Sequence, residues 1–298
     1  MSIDPALVTD LTLVLAIVAA WSMGHHYAGA VVGPAFGSKS IGMYAGILLA
    51  GVFVMVGSLA TTVVGTYVSL AKIGGAHDVI VLFSLALMTN VTTYLKVPTS
   101  TIQLYAFSLL GAAVATGAAV NYGLLFLLAA SWVSAPLVSY FLGKGIYALI
   151  PSQNRYLGYI IILIMLYSSL VLGLNDVSNA ASSLVSSGFD ITLAKAVCGA
   201  SMYAGMLMWG PRLIRRVGEE LITMDYRKAV SSQLSMSLIV STLNTFGFNA
   251  SMNQTIVAAL AGLGARKNVL SSILKGWVYS PVIGFGTAFV LAVLVTAL

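Results

Sequence analysis

Of the chain's 298 residues, 59% are hydrophobic and only 7% are Asp, Glu, Lys or Arg, with a mean hydropathy of +0.99. A soluble domain carries about 25% charged residues, so this chain cannot clothe a water-facing surface. Lipid solvates an apolar exterior, which makes the chain an integral membrane protein. A formal net charge of +6 would suit a nucleic-acid partner, but the basic residues gather in loops between apolar runs, which excludes one.

A membrane-spanning helix needs about 20 mostly apolar residues. Five such runs precede Pro151, at 5–22, 41–60, 76–95, 99–117 and 121–148. Five follow it, at 156–174, 190–210, 229–246, 250–265 and 269–298. They predict an all-α integral membrane protein with a first membrane repeat at 1–150 and a second at 151–298, each of about five segments, with broken helices or hairpins inside the runs. The 29 glycines suit close helix contacts in lipid. No Lys or Arg precedes Lys39, so the basic start of a signal peptide is missing and the first run is expected to be a true span. Cys198 is the one cysteine, which rules out an internal disulfide, and is expected to be a small buried side chain.

With ten crossings the loops alternate sides. Lys39, Lys96, Lys144, Arg155, Arg212, Arg215, Arg216, Arg227, Lys228, Arg266, Lys267 and Lys275 fall opposite the N-terminus, against Lys72 and Lys195 on its side. The positive-inside rule then sets both termini outside a plasma membrane and the basic loops in the cytoplasm.

The halves echo each other. Trp132-Val133-Ser134-Ala135-Pro136 parallels Trp277-Val278-Tyr279-Ser280-Pro281, and Ser100 and Gln103 match Ser251 and Gln254. An offset of 150 sets Met23-Gly24-His25-His26 against Gly173-Leu174-Asn175-Asp176. Five crossings per half is odd, so the halves are expected to be inverted, a common plan of secondary transporters with sites near the midplane.

One acid, Asp176, lies deep in apolar sequence, among Asn175, Ser178, Asn179, Ser182 and Ser183. An intramembrane Asp costs about 2.5–3.5 kcal/mol on insertion scales and is a functional candidate by default. Gly173 is expected to let the helix break there, exposing amides for an anion and carbonyls for a cation. The alternative is a polar helix end at the outer surface near Gly188. A second polar pair, Ser100 and Thr101 with Gln103, and Ser251 with Asn253 and Gln254, stands where Pro98 and Gly247 interrupt helix. These segments read as hairpin tips, as helix N-caps, or as both.

Gly173-Leu174-Asn175-Asp176-Val177-Ser178-Asn179-Ala180 resembles the Gly-Ala-Asn-Asp-Val-Ala-Asn-Ala signature of the inorganic phosphate transporter (PiT) family. The resemblance covers nearly the whole chain. It implies a symporter that imports inorganic phosphate by alternating access, coupled to H⁺ or Na⁺, and a homodimer. It also implies that Asn175, Asp176, Asn179, Ser100, Thr101 and Ser251 bind substrate, with Asp176 and Asn175 serving the coupling ion. The first signature departs from the pattern: His25 and His26 stand where Asn-Asp is expected, and Gly29 replaces the second Asn. The second hairpin, Asn249-Ala250-Ser251-Met252-Asn253-Gln254, lacks its Pro and Thr residues. A sulfate permease of the same fold and a passive anion channel are the alternatives. His25 and His26 are candidates for a proton relay and poor ones for a metal site. No cofactor beyond the coupling cation is expected, and no catalytic motif suggests an enzyme.

Overall fold

The computed structural model describes residues 4–95, 99–151 and 155–297, without the side chains of 267–270, 272, 273 and 276. Lys96 and Pro98, the latter expected to interrupt helix ahead of Ser100, lie outside the described residues. The described chain is helical between its connections, with one isolated antiparallel bridge, Ala71–Val120. The first half holds α1 (Pro5–Gly37), α2 (Met43–Ala60), α3 (Val64–Leu70), α4 (Ala76–Tyr94), α5 (Thr101–Thr116) and α6 (Tyr122–Leu149). The second holds α7 (Leu157–Ser186), α8 (Ile191–Trp209), α9 (Pro211–Arg215), a π-helical turn at Arg216–Glu220, α10 (Tyr226–Thr245), α11 (Met252–Gly262) and α12 (Lys267–Ala297). The order of long, medium, short, paired and long helices in α1–α6 recurs in α7–α12.

Each of the ten expected runs is a helix, but not each is a span. Among the described residues seven helices are long and apolar enough to cross a membrane: α1, α2, α4, α6, α7, α8 and the Trp277–Ala297 part of α12. At 1.5 Å per residue, α5 and α11 reach only about 24 and 17 Å, short of the ~30 Å hydrocarbon core. They are the return arms of hairpins begun by α4 and α10. α10 has the length, but Ser231, Ser232, Gln233, Ser235 and Ser237 make it too polar, and all five are buried.

The expected break at Gly173 does not occur. α7 runs without interruption for 30 residues, and Asn175 and Asp176 lie within it, fully buried, rather than at a surface end. Gly173 serves packing instead. A Cβ there would overlap the Val54 carbonyl oxygen of α2, and one on Gly57 would overlap the Leu170 carbonyl of α7. The same crossing joins α1 to α8, where Gly24 meets the Met202 carbonyl and Gly205 that of Trp21. Small residues thus let backbones touch where lipid supplies no hydrophobic drive. Exchanging the halves maps one crossing onto the other only if Gly24 corresponds to Gly173, an offset of 149. The offset of 150 read from the sequence is therefore one too many in this helix. Gly173→Ala is expected to cost about 1–3 kcal/mol through overpacking, lowering the thermal midpoint in detergent. Gly65→Ala, where an added Cβ meets nothing, should leave it unchanged.

The burial pattern is that of a membrane protein. Leu48, Val52, Val56 and Leu59 on α2, Phe126, Val133 and Phe141 on α6, and Val282, Val290 and Leu294 on α12 face outward. Inside, a core of apolar side chains such as Met23, Ile47, Leu85 and Met202 encloses many buried hydroxyls and amides. The basic loops meet at one end, where Arg212 lies over Tyr94, Arg227 donates to the Tyr147 carbonyl at 2.7 Å, and the Arg266 amide donates to Leu221. The N-terminus of α4, the C-terminus of α7 and the first turn of α1 share the other end. Cys198 is free and buried.

Candidate functional site

The two hairpin tips meet at the centre of the fold. Ser100 caps α5, its Oγ accepting from the Gln103 amide at 3.2 Å, and Ser251 caps α11, accepting from the Gln254 amide at 3.4 Å. The N-cap and hairpin-tip readings therefore both hold. Gln254 Nε2 donates to Gln103 Oε1 at 2.8 Å, so two residues at matching positions of the halves bond to each other across the junction. Asn253 Nδ2 adds a bond to the Thr99 carbonyl at 3.2 Å. From this junction α5 runs toward the end holding Val120 and Ala71, and α11 toward the basic end, where Gly262 meets Tyr140 and Lys144. The first N–H groups of a helix have no partner within it and carry partial positive charge. Two such ends therefore face one small volume.

α7 supplies the third wall. Asn175 grips the second tip from both sides: Nδ2 donates to the Ala250 carbonyl at 2.8 Å, and Oδ1 accepts from the Ala250 amide at 3.2 Å. Its other Nδ2 hydrogen reaches Asp176 Oδ2 at 2.8 Å. Asn249 closes the loop, donating to the Asn175 carbonyl at 2.6 Å and to Ser178 Oγ at 3.0 Å. Asp176 Oδ1 and Asn179 Oδ1 are buried without a hydrogen-bond partner. Tyr27 and Thr101 are the polar neighbours of the Asp176 carboxyl. Their hydroxyls lie 2.9 Å apart, and Asn179 Nδ2 reaches Thr101 Oγ1 at 3.5 Å. Unpartnered carboxylate and amide oxygens beside two hydroxyls make an acceptor set for one small cation or a proton. Among the described residues no three His, Cys, Asp or Glu side chains cluster as a metal site.

All six residues singled out as binders thus lie on the three elements that converge here. Sequence patterns do not single out Tyr27 or Asn249. Tyr27 reads as one more aromatic in an apolar run, and only the offset of 149 aligns it with Asp176. On that register His26 corresponds to Asn175 and Ala30 to Asn179, so the pairing of His25 and His26 with Asn-Asp is corrected by one position. The bonds agree: His26 Nε2 lies 3.2 Å from the Thr99 carbonyl on the first tip, as Asn175 holds the Ala250 carbonyl on the second. His26 Nδ1 lies 2.7 Å from Thr93 Oγ1. His25 points elsewhere, its Nε2 3.1 Å from Asn90 Oδ1 and its ring between Trp21 and Trp209. Neither histidine hydrogen-bonds to Asp176 in this geometry. His26→Leu would remove one bond from the Thr99 carbonyl, which keeps Asn253, and one from the Thr93 hydroxyl, which keeps the Thr89 carbonyl, at about 0.5–1.5 kcal/mol each. His26→Asn keeps an amide for Thr99. A thermal melt in detergent is expected to fall clearly for the first and little for the second.

The sequence model of the phosphate transporter family matches residues 23–155 and again 151–270. Among similar proteins, the sulfate permease CysP of Bacillus subtilis is 23% identical, the match covering 91% of this chain and 84% of that one. A putative phosphate permease of Methanocaldococcus jannaschii, MJ0630, is also 23% identical over 95% of this chain and 96% of its own. A solved structure of a sodium-dependent phosphate transporter shares the fold, with a TM-score of 0.86 at 16% identity, covering 98% of this chain and all of that one.

Proposed function

The chain belongs to the phosphate transporter family, and we propose that it imports an inorganic oxyanion, phosphate foremost, by cation-coupled alternating access between two inverted halves. The observation that carries this reading is the meeting of two helix N-termini beside a buried carboxylate with an unpartnered oxygen. The helix ends and the Ser100, Thr101 and Ser251 hydroxyls would hold the anion. Asn179 would serve both anion and cation. Asn175 spends both amide hydrogens on Ala250 and Asp176, so its part is to position the second tip against the carboxylate.

An ionised Asp176 repels the anion. It must be neutralised by H⁺ or Na⁺, or by a proton that phosphate itself brings. Anion binding is thereby favoured only when the cation arrives, which supplies the coupling. The same proposal sets the basic end in the cytoplasm and both termini outside the plasma membrane.

Sulfate is the second reading. It is favoured by the similarity to CysP and by Tyr27 standing opposite Asp176, which leaves one carboxylate where two matching halves would carry two. Sulfate holds no proton near neutrality and would depend wholly on the coupled cation. Uptake of labelled phosphate into proteoliposomes, with and without excess sulfate, and in parallel of labelled sulfate, separates the readings. Phosphate uptake that sulfate does not suppress supports the first. Sulfate uptake without phosphate uptake replaces it with the second, and uptake of neither overturns both. A relay through His25 and His26 remains part of the proposal; His26→Gln with wild-type pH dependence of uptake would defeat it.

A further inference from the structure

One face of α7 stays polar beyond the site. Asp176, Asn179, Ser182, Ser183 and Ser186 follow at spacings of three, three, one and three, and so line a single stripe. The stripe leads to a cavity of about 260 Å³ lined by Tyr67, Lys72, Asp78, Tyr105, Ser182 and Ser186 among others. Asp78 is 1% exposed, and its Oδ2 accepts from Ser186 Oγ at 2.8 Å and Ser187 Oγ at 3.3 Å. Tyr105 bonds Ser182 and Ser183 at 2.8 and 2.7 Å. Its ring meets that of Tyr67 edge-on at 5.1 Å. The Tyr67 hydroxyl is buried without a partner and lies within electrostatic reach of Asp176. Hydroxyls thus cluster along α7 between the two buried acids, Ser186 and Ser187 bonded to Asp78, Tyr105 to Ser182 and Ser183, and Tyr67 unpartnered.

The matching space in the other half is closed. At the offset of 149, Ser182 and Ser186 correspond to Gly33 and Gly37. A Cβ on Gly33 would lie 2.9 Å from the Val217 Cβ, and one on Gly37 would overlap the Gly218 carbonyl. Where α7 offers serines to a cavity, α1 offers glycines to a packed helix. Among the described residues the polar stripe of α7 thus borders a cavity, at the end away from the basic loops, while its counterpart on α1 is packed shut at Gly33 and Gly37.

We propose that this cavity is the route by which a hard monovalent cation, H⁺ or Na⁺, reaches Asp176, with Asp78 as its entrance acid. The inference rests on the coupled-transport reading above. Asp78 is the acceptor at the mouth, and the Ser186, Ser183, Tyr105 and Tyr67 hydroxyls can each both donate and accept, as stepwise passage requires. The charged or titratable groups that line the cavity with Asp78 are Lys72 from the loop before α4, Tyr67 from α3 and Tyr105 from α5, and His77 precedes Asp78 on α4 with its Nε2 buried and unpartnered. α7 presents serines, and the adjoining turn of α1 presents Pro5, Val8 and Thr9 behind its Asp4 cap. Lys275 of α12 lies toward the other end of α4, beside Val91 and Leu95.

The test uses the full chain in proteoliposomes under an inward H⁺ gradient, and separately an inward Na⁺ gradient. Asp78→Asn is expected to slow gradient-driven oxyanion uptake at least tenfold under the coupling ion, while exchange of labelled for unlabelled anion without a gradient persists. The Ser186→Ala and Tyr105→Phe pair, which removes hydroxyls with little change of shape, should slow the same step and serves if Asp78→Asn does not fold. Wild-type rates in these variants, beside an active parent, overturn the route and leave the transport reading standing. A parent that moves neither anion removes the transport reading instead. The route is then judged by labelling Ser186→Cys in a Cys198→Ala background with a membrane-impermeant cationic thiol reagent. Reaction from the face away from the basic loops supports an open polar entrance, and no reaction from that face overturns it.

Discussion

Asp176→Asn is expected to abolish accumulation of the anion while leaving a folded protein. An asparagine has nearly the same shape, and its carbonyl can still accept from Asn175 Nδ2, which holds the carboxylate at 2.8 Å. On the proposed mechanism, what the variant loses is the charge that would make anion entry conditional on a cation. Its site is permanently in the neutralised state, so exchange of labelled for unlabelled anion should continue without any gradient. Gradient-driven uptake should fall about 100-fold or more, which corresponds to ~2.7 kcal/mol of lost coupling at about 1.4 kcal/mol per decade. Initial rates under an imposed gradient, paired with a thermal melt, measure both halves of the expectation. A variant that accumulates anion like the parent would remove Asp176 from the coupling step.

Asn175→Ala should act differently, because Asn175 holds structure as well as chemistry. Its side chain makes three bonds: to the Ala250 carbonyl, to the Ala250 amide and to Asp176. All lie in the buried centre. Truncation leaves three polar groups unsatisfied at about 1–3 kcal/mol each, some of which water entering the gap would restore. The tip carrying Ser251 is then no longer fixed against α7. Transport and exchange are both expected to be lost, with a marked fall in thermal midpoint. Asn175→Ala with a wild-type melt would show that the second tip is held by other contacts, Asn249 first among them.

Much of this architecture is legible in the amino-acid sequence alone. Ten apolar runs mark ten helices, and a lone Asp among amides and hydroxyls marks the centre, because membrane insertion penalises polar groups that serve no purpose. Ser100 and Ser251 are legible as caps because a helix start needs an acceptor for its free amides. Other features depend on distances that sequence does not carry. The register of α1 against α7 slips by one when read from residue identity, because the glycine crossings with α8 and α2 fix it. That slip hides Tyr27 of α1, whose neighbour Thr101 lies on the first hairpin. Gly173 looks like a breaking point, yet its missing side chain admits α2. Asp78 lies in the first turn of α4, but the Ser186 hydroxyl that donates to it comes from 108 residues away. The length needed to span a membrane could flag α11, but its soft boundaries let eleven helical residues pass as a longer run.

Coupled transport of an oxyanion is put to the test by accumulation in proteoliposomes holding the unmodified chain. Labelled phosphate, and in parallel labelled sulfate, is supplied outside under an inward H⁺ or Na⁺ gradient, with the internal concentration followed over time. One of the anions should rise inside above its outside concentration and drain when an ionophore collapses the gradient. An anion that only equilibrates, at the same rate with or without the gradient, would contradict coupling and leave a passive pore in its place.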